Sequence, residues 1–327
     1  MKEINVAILG IWAIHASDFV ERNREIPGCN MVIAWDKDPV AGRKWAEELD
    51  IPFAEDYHDI LTDPTIDAVI ITTAAAEHAQ MSVEAARAGK HVMVEKAPML
   101  TKESAEEVYK AVQENGVLYS VSDPLVKPEM LQLKKMVDEG CFGDITMVHV
   151  RNAHAMALEG TLPERFFKKD EAGGGVVLDV GCHGVHMLWW FLGMPEKCVA
   201  VYNSYTDSAK KGGVEDNAAV VYRFPNGAIG IAESSWTAPG DQGIMDIYGI
   251  KGCAHAFGKQ VHYCFEDKVW RTISTEELPA QGTKPMDQWL ESLIHGTVHT
   301  QYHEKEAAEL AIMLEGANLA AKKAHKI

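Results

Sequence analysis

The sharpest chemical signal lies in the middle of the chain, where Gly173-Gly174-Gly175 is followed by Asp179, His183 and His186. On a helix from Leu178 to Leu192, Asp179 and His183 stand four apart and His186 three further on, so all three share one face. An imidazole that titrates near neutral pH takes a hydroxyl proton, and a nearby carboxylate helps orient it. The same spacing, Asp-x-x-x-His-x-x-His, also offers three metal ligands on one face. A plain polar face beneath the glycine loop is the third reading. A second signal is Val92-Met93-Val94-Glu95-Lys96-Ala97-Pro98. It reads as a buried strand that delivers Glu95 and Lys96 at its carboxyl end, where ligands sit in open α/β sheets. A lysine there polarises a hydroxyl or carbonyl and stabilises developing alkoxide charge. Its structural alternative is a strand-end salt bridge.

A nucleotide loop is the third signal, and a partial one. The first strand-to-helix turn reads Gly10-Ile11-Trp12-Ala13-Ile14-His15-Ala16. Of the Gly-x-Gly-x-x-Gly fingerprint only Gly10 is present; Trp12 stands at the second glycine and His15 at the third. The next strand ends at Asp36, 26 residues after Gly10. An acid near this position hydrogen-bonds the adenosine ribose and repels a 2′-phosphate, which favours NAD over NADP. Lys37 beside it weakens that preference, and Asp38-Pro39 also reads as a turn.

These residues need elements to carry them. Apolar runs at Ile4–Leu9, Met31–Trp35, Ala68–Ile71, His91–Val94 and Val117–Val121 alternate with helical stretches at Lys44–Leu49, Met81–Ala88 and Glu103–Glu114. That alternation predicts a doubly wound parallel sheet, an α/β fold, over residues 1–122. The character changes near Asp123-Pro124. A helix is expected from Pro128 to Glu139, then alternating strands at Ile145–Arg151, Cys198–Ser204, Ala218–Phe224, Ala228–Ser234, Gly243–Tyr248 and Val261–Phe265. Pro225-Asn226-Gly227 joins two of them as a hairpin. Residues 123–327 therefore read as an α+β domain with an open, mostly antiparallel sheet, closed by helices at Pro285–Gly296 and His303–Ala324.

Composition narrows the function classes. There are 31 basic against 48 acidic residues, a net charge of −17. That is no footprint for nucleic acid or for an anionic membrane. The apolar runs fall short of a bilayer span. Six scattered cysteines without a Cys-x-x-Cys point to reduced thiols and a cytoplasmic location. Most of the 14 histidines, His58, His91, His262 and His325 among them, have no catalytic context.

Taken in order, these motifs resemble the Gfo/Idh/MocA family of oxidoreductases over essentially the whole chain. The landmarks are Asp36-Lys37-Asp38-Pro39, Asp67-Ala68-Val69-Ile70-Ile71 before Thr72-Thr73, His78, and Gly89-Lys90-His91-Val92-Met93-Val94-Glu95-Lys96. Further on stand Gly173-Gly174-Gly175, Asp179-Val180-Gly181-Cys182-His183, Val214-Glu215-Asp216-Asn217 and Glu233-Ser234-Ser235-Trp236. The resemblance implies a Rossmann domain at 1–122 and a substrate-binding, oligomerising domain at 123–327. It implies hydride transfer between NAD and a ring hydroxyl of a sugar, glycoside or cyclitol, in a homodimer or homotetramer. By the same resemblance Lys96, Asp179 and His183 are catalytic, with His183 the general acid/base. Gly10, Trp12, Ala13, Ile14, Asp36, Lys37, Thr73, His78, Glu95 and Lys96 would line the cofactor. His154, Phe167 and His186 would join Lys96, Asp179 and His183 at the substrate.

Several positions depart from the family pattern: Trp12 at the second glycine, Ala97 before Pro98, Ala74-Ala75 for Pro-Asn, and His186 for an aspartate. Lys127 is the nearest cation where arginines are common. Other classes remain open: a sensor that kept the fold without the reaction, a metal-dependent hydrolase or lyase using Asp179, His183 and His186, and NAD used transiently on a glycosidic bond without net redox.

Overall fold

The computed structural model describes residues 3–123, 126–240, 243–298 and 301–323. Pro124, Ala324 and His325, named above, lie outside them. The chain opens with β1 (Ile4–Leu9), α1 (Ala16–Glu25), β2 (Cys29–Trp35), α2 (Pro39–Glu48), α3 (Tyr57–Thr62), β3 (Ala68–Ile71), α4 (Ala75–Arg87), β4 (His91–Glu95), α5 (Lys102–Asn115) and β5 (Tyr119–Ser122). The five strands pair in parallel in the order β2-β1-β3-β4-β5. β3 is buried throughout, as a strand covered on both faces must be. The order reverses between β1 and β3, and in such sheets the crevice beyond the carboxyl ends at that point binds ligands.

α2 and α4 start several residues earlier than the sequence reading. At α2 the reason is a cap: the Asp38 carboxylate accepts the Val40 and Ala41 amides, and Pro39 takes the first helical position. The dipeptide read as a turn is a helix start.

The second part runs through α6 (Pro128–Asp138), β6 (Ile145–Ala153), α7 (Met156–Glu159), α8 (Lys169–Ala172), α9 (Cys182–Leu192), β7 (Lys197–Asn203), α10 (Asp207–Gly212), β8 (Asn217–Arg223), β9 (Ile229–Ser235), β10 (Ile244–Gly249), β11 (Gly252–Phe257), β12 (Gln260–Phe265) and β13 (Trp270–Ile273). Eight strands form one sheet, β13-β12-β11-β10-β6-β9-β8-β7, antiparallel except for β6 beside β9. Gly227 closes the β8–β9 hairpin with φ +90°, and Asn226 accepts the Ala228 amide. β11 and β13 are not anticipated; β11 buries only Ala254 and Ala256, too little apolar pattern to read. Among the described residues one helical stretch, Lys169–Leu192, has the length and composition of a membrane span. Some 61% of its apolar window is buried inside the fold, and Gly173–Gly175 break the helix, as suits a core element.

α11 (Pro285–His295) and α12 (Glu304–Lys322) close the chain. Domain limits of 1–122 and 123–327 leave both helices in the second half. The compact units divide differently: Met1–Asp123 with Lys284–Ile312, and Pro124–Thr283 with Met313–Ile327. α11 is amphipathic, and its Met286, Trp289, Leu290, Leu293 and Ile294 join the core of Ile4, Val6, Ile8, Phe19 and Val20. Arg22 on α1 grips Asp287 through two hydrogen bonds of 2.7 Å. Asp287 is buried, and both of its carboxylate oxygens accept from that guanidinium. Replacing Arg22 by Ala should cost about 2 kcal/mol, the penalty of a buried acceptor left without its donor; urea unfolding measures it.

Candidate active site

In the first unit, residues at the strand ends assemble around the switch point. Gly10 follows β1 with φ +101°. A β-carbon there would lie 2.6 Å from Thr73 Cγ2 and 2.7 Å from Thr73 N, so only glycine fits. Thr72 reaches back, its hydroxyl donating to the Gly10 carbonyl at 2.6 Å. The loop's amides are engaged by the protein at Gly10 (to Trp35 O), Ile11 (to Asp36) and Ala13 (to Thr72 O). Trp12 is half-buried, Ala13 buried and Ile14 exposed, and α1 begins only at Ala16.

Asp36 ends β2 with each carboxylate oxygen fixed: Oδ2 accepts the Ile11 amide at 2.7 Å and Oδ1 the Asp38 amide at 2.8 Å. Burial pushes its pKa up, and those two amides oppose the shift. Each oxygen keeps a second lone pair, so the group fits a ribose diol. Lys37 is turned onto Glu77, 2.5 Å away. With Asp36, Asp38 and Glu77 close by, a 2′-phosphate would meet carboxylates, and the fit is to NAD.

Glu95 is buried at the end of β4, and Lys96 after it is half-buried. The Lys96–Ala97 peptide is cis. His78, placed against the cofactor by the resemblance, is only 1% exposed. Its Nδ1 lies 2.8 Å from the Ala97 carbonyl and its Nε2 3.0 Å from the Thr73 carbonyl. Burial pushes its pKa down. A neutral ring donates to one of these carbonyls, an imidazolium to both. His78 therefore ties the loop after β3 to the turn after β4.

In the second unit, Asp179 does not lie on a regular α-helix. Val177–Gly181 form a π-helical turn, and α9 starts at Cys182. Such turns carry an extra residue and are frequent at functional sites. Asp179 Oδ2 accepts the Trp236 indole N–H at 2.8 Å and lies 3.9 Å from His154 Nε2. The Met156 amide donates to His154 Nδ1 at 3.3 Å, so the ring proton sits on Nε2, toward Asp179. Phe167 is buried, its ring edge-on to Trp236 at 5.6 Å. The ring that the resemblance sets at the substrate thus packs against the indole.

His183 is half-buried, whereas His186 is fully buried, its ring 5.7 Å from that of Trp189. Of the three residues the spacing sets on one face, Asp179 and His183 are partly exposed and His186 is enclosed. Among the described residues no three His, Cys, Asp or Glu side chains are grouped to hold a metal ion. Trp236 is the functional partner that sequence reasoning missed. It reads as a packing residue, and nothing local links it to an aspartate 57 positions away.

Comparison with known proteins follows the same two parts. Residues 4–123 match the model of an oxidoreductase family with an NAD-binding Rossmann fold, and residues 130–255 match the GFO/IDH/MocA C-terminal domain. The 1,5-anhydro-D-fructose reductase of Ensifer adhaerens is 31% identical over 231 residues, 70% of this chain and 67% of its own. The scyllo-inositol 2-dehydrogenase (NAD(+)) of Bacillus subtilis is 29% identical over 76% of this chain and 72% of its own. In fold, levoglucosan dehydrogenase in complex with NADH and levoglucosan superposes with a TM-score of 0.84 at 21% identity, over 98% of both chains. GenD2 from gentamicin A biosynthesis, in complex with NAD, gives 0.82 at 22% identity, over 100% of this chain and 96% of that one. With both halves matched in order, the chain is a member of the Gfo/Idh/MocA oxidoreductase family, and its first unit is that family's NAD-binding Rossmann fold.

Proposed function

We propose that the protein is an NAD-dependent dehydrogenase that oxidises a ring CH–OH of a sugar, glycoside or cyclitol, or runs that reaction in reverse. The observation that carries this reading is the Asp179 cluster. A half-buried carboxylate is fixed by one indole N–H and faced by an imidazole N–H, four residues before a half-buried histidine. Relatives named for anhydrofructose, scyllo-inositol and levoglucosan support the substrate class. Such substrates present several hydroxyls to paired donors and acceptors.

Bound NAD supplies the hydride acceptor. Oxidising the carbinol further requires a base for the hydroxyl proton and a cation for the negative charge growing on oxygen. His183 is assigned the proton and Lys96 the charge. Asp179 binds a substrate hydroxyl or orients His183, and His154 extends the same polar surface. Gly10, Asp36 and Thr73 hold the dinucleotide, with Asp36 on the adenosine ribose. Trp12, in place of a second glycine, adds bulk where the backbone would approach the pyrophosphate.

The second unit's sheet leaves Val199, Val201, Ile229, Tyr248 and Trp270 exposed. A second copy packed on this face makes the homodimer or homotetramer. Six free thiols support a reducing, cytoplasmic setting.

Three outcomes test this reading. His183→Ala should lower turnover by about 10²–10⁴-fold with NADH affinity unchanged in a fluorescence titration. Undiminished turnover would refute the assigned base, and no NADH binding at millimolar concentration would favour a sensor. Glu77→Gln removes a carboxylate that Lys37 pairs with, and the ratio of NADPH to NADH affinity should rise, on the order of fivefold for a partly exposed charge. Light scattering should give a multiple of the protomer mass, and Val201→Lys should shift it toward the monomer.

A further inference from the structure

Glu215 and Asp216 stand immediately before β8 and belong to no catalytic assignment made above. Glu215 Oε1 accepts the Gly175 amide at 3.0 Å and the Val177 amide at 3.2 Å. The Glu215 carbonyl accepts the amide between them, that of Val176, at 2.9 Å. Three successive N–H groups at the head of the helical stretch thus end on a single residue. These are amides that a helix start leaves without intrahelical partners, and a carboxylate there also meets the positive end of the helix dipole. The fit is close: a β-carbon on Gly175 would lie 2.0 Å from the Glu215 carbonyl oxygen. Burial raises the Glu215 pKa, and the amides it accepts pull it back down.

The neighbouring residue reaches the same aspartate by another route. The Asp216 carbonyl accepts the Trp236 amide at 2.8 Å, and the Trp236 indole donates to Asp179 at 2.8 Å. Asp216 is itself fully buried and anchored by the Tyr205 and Thr206 amides, at 2.8 and 2.7 Å. Asp179 is therefore gripped through the backbone two to four residues before it and through its own carboxylate.

We propose that Glu215 is a positioning residue, which sets the π turn carrying Asp179 and the start of α9 carrying His183. It touches no reacting atom; it acts through the amides of Gly175 and Val177. The inference rests on the dehydrogenase reading of Asp179 and His183. It predicts a loss in the chemical step without a loss of NAD binding, which is a property of the first unit.

The experiment compares Glu215→Ala, Glu215→Asp and Glu215→Gln with His183→Ala in the full-length protein. For each, kcat is expressed per NADH-binding site, and NADH Kd and substrate KM are measured. Glu215→Ala should lower kcat about 100-fold, as for a misplacement of order 1 Å, with NADH Kd unchanged. Glu215→Asp, one methylene short, should fall with it. Glu215→Gln keeps the Oε1 acceptor and should restore most of the rate. If the alanine variant does not fold, the Asp and Gln variants decide the question. Parental kcat in Glu215→Ala, or in Glu215→Asp should the alanine variant not fold, overturns the inference, as does a glutamine variant as slow as the aspartate one. A parental rate in His183→Ala overturns the underlying reading instead, whatever Glu215 does.

Discussion

The hydrogen bond from the Trp236 indole to Asp179 solves two problems at once. A fully buried indole N–H needs an acceptor, and a half-buried carboxylate needs a donor. Each is the other's partner at 2.8 Å. The rest of the second unit is built to bring them together. β9 delivers Trp236 at the end of a strand in the middle of the sheet, Phe167 packs edge-on against its ring, and a π turn carries Asp179 to it. His154 leaves β6, the parallel neighbour of β9, on the same side. A cluster of one acid, one indole and one imidazole thus rests on three elements that are distant in sequence.

The first unit works by backbone instead. Its switch point is made by Gly10 pressed on Thr73 and by the Thr72 hydroxyl on the Gly10 carbonyl. Asp36 draws the next strand end into the same region through the Ile11 amide. His78, enclosed beneath, joins the loop after β3 to the turn that holds Lys96. The departures from the family pattern that fall in this unit, at Trp12, Ala74, Ala75 and Ala97, leave its frame intact. Trp12 and Ala97 change what surrounds a dinucleotide, yet the strand order, the Gly10 conformation and the Asp36 contacts are all in place.

Of the alternatives open at the level of sequence, the metal reading needed Asp179, His183 and His186 on one face. His186 is fully buried with its ring beside Trp189, and among the described residues no three such side chains are grouped to hold a metal ion. Asp179, His154 and His183 are the second-unit residues on which the proposed hydroxyl chemistry rests.

Much of this was legible in the residues alone. Strands buried on both faces are runs of Val, Ile and Ala, and helices between them repeat at helical spacing, so β1, β3, β4 and the parallel sheet follow from local pattern. Gly10, Asp36, Glu95, Lys96, Asp179 and His183 were likewise visible, because each stands at a strand end or beside a glycine turn. The boundary of the first unit was not. α11 returns to it because its apolar face matches a core made some 260 residues earlier, and no local signal marks a destination. The partners of Asp179 were hidden for the same reason. Hydrophobic periodicity is a property of neighbours along the chain. A hydrogen bond between residues 57 apart, or a carboxylate spent on the amides of a loop 40 residues upstream, is fixed only when the packed sheet brings those segments within three ångströms.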